Sequence, residues 1–144
     1  MDGAQFSVDI NAEPRQVYAV LRDSERFPDF IPSVVSVKRL SEEGSRTVTE
    51  WTVKVQSLGI DTKWTSEETW DPENLTLSFR PAGEAVAQLH GLWSIAPTDS
   101  GSRLSLDAKY ELKVPVLIKG MAQKAVQENL QALLNGIKAR AESQ

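Results

Sequence analysis

Residues 102–141 read SRLSLDAKYELKVPVLIKGMAQKAVQENLQALLNGIKARA, and the hydrophobic period changes inside this stretch. Up to Leu112 it is two: Leu104, Leu106, Ala108, Tyr110 and Leu112 fall on one face, Arg103, Ser105, Asp107, Lys109 and Glu111 on the other. Such alternation marks a strand of an antiparallel sheet with one wet face. Beyond Lys113-Val114-Pro115 the period becomes about 3.6, which predicts one long helix over 116–141. Ile118, Ala122, Ala125, Asn129, Leu133 and Gly136 share a stripe on that helix, with Lys124, Gln127, Gln131, Asn135 and Lys138 opposite.

Upstream, residues 34–112 repeat the strand signal six times, with turn residues at SEEGS, QSLG, DPEN, PAGE and TDSG. In QLHGLWSI, Leu89, Gly91, Trp93 and Ile95 share a face; in TVTEWTVKV, Thr49, Trp51, Val53 and Val55 do. The chain opens with a strand carrying Phe6, Val8 and Ile10. A short amphipathic helix follows, with Pro14 in its first turn and Val17, Val20 and Leu21 inward. SERFPDFIPSV then predicts a second short helix, broken by proline and carrying Phe27 and Phe30. This order is α+β: a curved antiparallel sheet, two short helices and one long C-terminal helix across the concave face, in a single domain over residues 1–144.

The stripe on the long helix is mostly Ala and Gly, so helix and sheet are expected to leave a cavity rather than a filled core. The alternative is that Trp51, Trp64 and Trp93 fill the space against those small residues. Composition narrows the chemistry. The chain has 144 residues, no Cys, one His and a net charge of −4. Thiol nucleophiles, Cys-based metal sites and disulfides are excluded, and the lone His90 gives no basis for a Ser-His-Asp triad or a poly-His metal site. No metal or cofactor is expected. The mild acidic excess argues against nucleic-acid binding. No apolar run is long enough for a membrane span, the first residues do not read as a signal peptide, and the absence of Cys fits a reducing cytoplasm.

Several polar residues stand out by position. Glu68 shares a strand face with Ser66, Trp64 and Trp70, which points it inward. There an unpaired carboxylate is expensive, so it serves as an acid/base or a hydrogen-bond anchor, or else pairs with Arg80 or reaches water at the sheet end. Asn129 interrupts an apolar stripe and must meet either a ligand or a backbone group of the sheet. Tyr110 faces in and its hydroxyl needs a partner. His90 lies on the outward face. Lys113, Lys119 and Lys124 flank the apolar run 114–118, which reads as an entrance making transient membrane contact, or as an ordinary helix start with snorkelling lysines.

At VYAVLRDSERFPDFIPSVVSVKRL, with its Phe27-Pro28-Asp29-Phe30 turn, the chain resembles the polyketide cyclase/dehydrase members of the START-like (SRPBCC, helix-grip) superfamily. Leu89-Gly91-Trp93-Ile95 followed by YELKVP is similar to the coenzyme-Q-binding branch. The resemblance spans essentially the whole chain. It implies a cavity for a hydrophobic small molecule (quinone, polyketide, isoprenoid or lipid), with a polyketide aromatase/cyclase or dehydratase as the alternative. It also implies that Trp64, Ser66 and Asn129 stand at pocket positions of the aromatase/cyclases. Two positions depart from that pattern: Glu68 stands where those enzymes carry an Arg, and Val34 where they carry a Tyr. A carboxylate in place of a cationic donor speaks against the same ring closure and for binding. The expected ligand-lining set is Phe30, Trp51, Trp64, Ser66, Glu68, Trp93, Tyr110, Ala122, Ala125, Asn129 and Leu133, with Glu68 the one catalytic candidate.

Overall fold

The computed structural model describes residues 2–55, 58–83 and 87–144. Its elements follow the expected order. Strand β1 (Asp2–Ile10) leads into helix α1 (Pro14–Arg22) and a 3-10 segment (Ser24–Asp29). Then come β2 (Val34–Glu43), β3 (Arg46–Val55), β4 (Ile60–Asp71), β5 (Thr76–Pro81), β6 (Ala87–Thr98) and β7 (Gly101–Leu112). A short 3-10 turn (Val116–Ile118) precedes helix α2 (Lys119–Glu142). The turns expected at QSLG and PAGE fall partly outside the described residues.

All strand pairs are antiparallel, in the order β1-β7-β6-β5-β4-β3-β2. Sequence neighbours β1 and β2 therefore occupy opposite edges, and α1 with the 3-10 segment carries the chain between them. Alternation holds best in β7, where Leu104, Leu106, Ala108 and Tyr110 are buried and the intervening residues are not. Irregular register in β2, between Val34 and Ser36 and again between Arg39 and Ser41, bends that edge.

Helix α2 departs from the expected stripe in two ways. β7 ends at Leu112, Pro115 precedes one 3-10 turn over Val116–Ile118, and the helix starts at Lys119 rather than 116. The buried positions are Ala122, Ala125, Leu130, Leu134, Ile137 and Ala141. Small residues thus dominate only the first half. The second half is a conventional core face packed on β1 and α1. That end is also tied by polar contacts: Lys138 Nζ donates to Asp9 O at 2.7 Å, and Gln16 Nε2 donates to Ala141 O at 3.0 Å. The Asn11 N–H, then the Lys138 ammonium, hold the Glu142 carboxyl below its ordinary range. One end of the helix is clamped, while the other spans the sheet on small side chains.

Two glycines allow close approach. A Cβ on Gly136 would run into Ile31, so glycine lets the helix settle there. A Cβ on Gly91 of β6 would lie 2.6 Å from the Phe79 ring and 2.7 Å from Asp107 O, so glycine admits that ring against the sheet.

Candidate functional site: a two-chambered cavity under the long helix

The clamped geometry leaves two adjoining chambers between the sheet and the first part of α2. The outer chamber, about 150 Å³, has apolar walls from β2, β3, β4 and β6 (Val34, Val53, Trp64 and Leu89 among them) and a roof of Ile118, Ala122, Ala125, Val126 and Asn129. The inner chamber, about 50 Å³, is aromatic: Phe27, Trp51, Trp64, Trp70, Phe79 and Trp93 line it. Trp64, Leu89, Leu130 and Leu133 belong to both, so the two share a wall. Near the roof, Val116 and Leu117 are almost fully exposed, 86% and 97%, between the cavity-lining Val114 and Ile118.

The inner chamber is built by register. Trp51 and Trp64 sit opposite each other on β3 and β4 and stack, with centroids 6.1 Å apart and planes 5° from parallel. Thr47 sits opposite Glu68, and Thr49 opposite Ser66. Glu68 is only 4% exposed, and its Oε1 accepts from Thr47 Oγ1 at 2.8 Å and from Thr49 Oγ1 at 2.6 Å. Its Oε2 receives one long contact, 3.4 Å, from Trp51 Nε1. Trp70 Nε1 donates to Thr47 Oγ1 at 2.9 Å, which leaves the Thr47 proton for Glu68.

Strand parity therefore places Glu68 inside, and the pairing with Arg80 is corrected. Arg80 pairs with Glu67 at 2.8 Å, because those two face each other on the outer surface of β4 and β5. Of the expected lining set, Trp51, Trp64, Ser66, Glu68 and Trp93 line the inner chamber, and Ala122, Ala125, Asn129 and Leu133 the outer. Phe30 and Tyr110 are corrections. Phe30 follows the 3-10 segment with φ −138°; its half-buried ring packs edge-on to Phe27, lies 5.5 Å beneath the Arg140 guanidinium and lines neither chamber. Its neighbour Phe27 is the ring in the chamber. Tyr110 is buried, but its hydroxyl accepts from Gln127 Nε2 at 3.1 Å and it lines neither chamber. Sequence reading placed Thr49 on the face of β3 with Trp51 but gave it no role, and missed Thr47, whose alternation with Thr49 and Trp51 was the available signal. Glu68 lines the inner chamber and Asn129 the outer.

A sheet wrapped around a long helix over an apolar cavity is a hydrophobic-ligand-binding fold of the START and polyketide-cyclase type. The chain belongs to the family described as polyketide cyclase/dehydrase and lipid transport, whose model matches residues 10–134. Among solved structures, TTHA0849 from Thermus thermophilus is similar at 31% identity and TM-score 0.90, the match covering 99% of this chain and 98% of that one. The Zhui aromatase/cyclase from Streptomyces sp. R1128 shares the fold at 22% identity and TM-score 0.89, covering 98% and 93%. A START superfamily protein from Mycobacterium smegmatis does so at 19% identity and TM-score 0.75, covering 98% and 97%. A search of curated proteins finds no match. None of these comparisons singles out the coenzyme-Q-binding branch. Among the described residues, no helix is long and apolar enough to cross a membrane.

Proposed function

We propose that the protein binds a single hydrophobic small molecule of quinone, polyketide, isoprenoid or lipid chemistry across the two chambers, and holds it as a cytoplasmic carrier rather than transforming it. The observation that carries this reading is the outer chamber itself: an apolar space roofed by Ala122 and Ala125 where a packed interface would place larger side chains. In another protein, an apolar cavity of about 150 Å³ stays dry and takes up benzene. Here the inner chamber adjoins the outer one across Trp64, Leu89, Leu130 and Leu133. A cyclase or dehydratase would need a positioned acid or base at the carbon that loses a proton or at the oxygen that gains one. Glu68 where the resembled aromatase/cyclases carry an Arg, and Val34 where they carry a Tyr, support binding over that chemistry.

Trp64 borders both chambers, so a ligand reaching from one to the other touches its ring. Titration with the neutral fluorophore N-phenyl-1-naphthylamine is expected to saturate at one probe per chain and to quench tryptophan emission. Trp64→Phe should remove most of that quenching while probe binding persists. Unchanged quenching in the variant would place the ligand elsewhere, and no saturable binding would refute the reading.

A further inference from the structure

The inner chamber has fixed polarity. Besides its apolar walls it is lined by three polar side chains, Ser24, Ser66 and Glu68. A serine hydroxyl either donates or accepts and so selects nothing. Ser24 already accepts from Arg39 Nη2 at 3.0 Å. Glu68 is different, because every group wired to it donates: the Thr47 and Thr49 hydroxyls into Oε1 and the Trp51 indole into Oε2. The indole nitrogens of Trp51 and Trp70 cannot accept, and Trp70 fixes the direction through Thr47. Two short bonds fill Oε1. Oε2, held only by the 3.4 Å contact, keeps acceptor capacity.

Among the described residues, no Lys or Arg lines either chamber. Arg22 and Arg39 lie over the Trp70 ring, at 4.6 and 5.9 Å from its centroid, and bond to Glu42 and Ser24 rather than Glu68. The chamber is thus a carboxylate oxygen among six aromatic rings with no counter-charge in its described walls.

We propose that the inner chamber selects ligands whose buried end is a hydrogen-bond donor, a hydroxyl or an ammonium, over ligands that end there in a carbonyl or carboxylate. This rests on the binding function proposed above and names the polar end of its ligand. A donor completes Oε2, and an ammonium also meets the ring faces favourably. A carbonyl or carboxylate oxygen brings one lone pair against another and leaves Oε2 unpaired in a buried site, the kind of mismatch by which polar pockets discriminate strongly.

The test is calorimetric, with four naphthalenes of one skeleton: 2-naphthol, 2-naphthylmethylamine, 2-acetonaphthone and 2-naphthoic acid. Wild-type protein is expected to bind the tighter of naphthol and amine about tenfold or more above the ketone and the acid. Which of the two is tighter identifies the donor. Glu68→Gln preserves shape and turns an amide N–H toward the chamber, so the ketone should then match or overtake the naphthol. Should that variant not fold, the wild-type ratio decides alone. A wild-type ketone or acid bound as tightly as both donors overturns the proposal. So does a protein that binds N-phenyl-1-naphthylamine but none of the four, an outcome that leaves the binding function standing. If the fluorophore itself does not bind, binding function and inference fall together.

Discussion

Ala125→Trp is expected to abolish uptake of N-phenyl-1-naphthylamine and leave the fold intact. Ala125 is buried and its methyl forms part of the roof of the outer chamber. An indole there projects into space that no side chain occupies, so it fills the chamber instead of displacing packed neighbours. Overpacking a filled core costs about 1–3 kcal/mol; filling an apolar void offsets part or all of that by removing the void. Binding should therefore fall below detection, while the melting temperature stays within a few degrees of wild type and circular dichroism is unchanged. Ala122→Phe, one turn earlier on the same roof, should act in the same direction. Uptake at wild-type affinity in both variants would mean that the ligand lies outside this chamber.

Leu134→Ala should have the opposite signature, a large loss of stability with the binding site still in place. Leu134 is fully buried on the half of α2 that packs on β1 and α1, and it lines neither chamber. Truncating such a leucine removes its transfer free energy and opens a new void, about 2–5 kcal/mol in all. For a domain of this size that corresponds to a fall in melting temperature of roughly 5–15 °C. Leu133→Ala, one residue earlier, should cost much less, because Leu133 already borders both chambers and its removal enlarges a space that exists. Thermal melts of the two variants side by side measure the contrast. Equal losses would mean that both halves of the helix are packed alike and that the division into clamp and roof is wrong.

How far the sequence led depended on whether a side chain's surroundings are set locally. Period-two alternation is local, so the strands, the inward face of Leu89, Trp93 and Glu68, and the α+β order were all legible. The long helix was legible as a helix but not as a surface. A single stripe through Ala122, Ala125, Asn129 and Leu133 misses that Leu130, Leu134 and Ile137 lie just beside it and are buried. Phe27 lies in the 3-10 segment and Phe30 just past its end; three residues apart, they would share a side if the segment continued. Phe30 departs from helical geometry, and only Phe27 lines the chamber. The wiring of Glu68 was out of reach for another reason. Parity turns Thr47 and Thr49 inward, but their meeting with Glu68 depends on the register of β3 against β4, which side-chain pattern alone does not fix.

On the proposed function, a small molecule lies inside the protein, between the first half of α2 and the sheet. Methyl-resolved NMR during titration with N-phenyl-1-naphthylamine tests it most directly. Saturable shifts are expected at Val53, Leu89, Ala122, Ala125, Leu130 and Leu133, with Leu104 and Leu106, buried away from the chambers, unmoved. Shifts confined to exposed Val116, Leu117 and Met121, or no shifts at all, would contradict it.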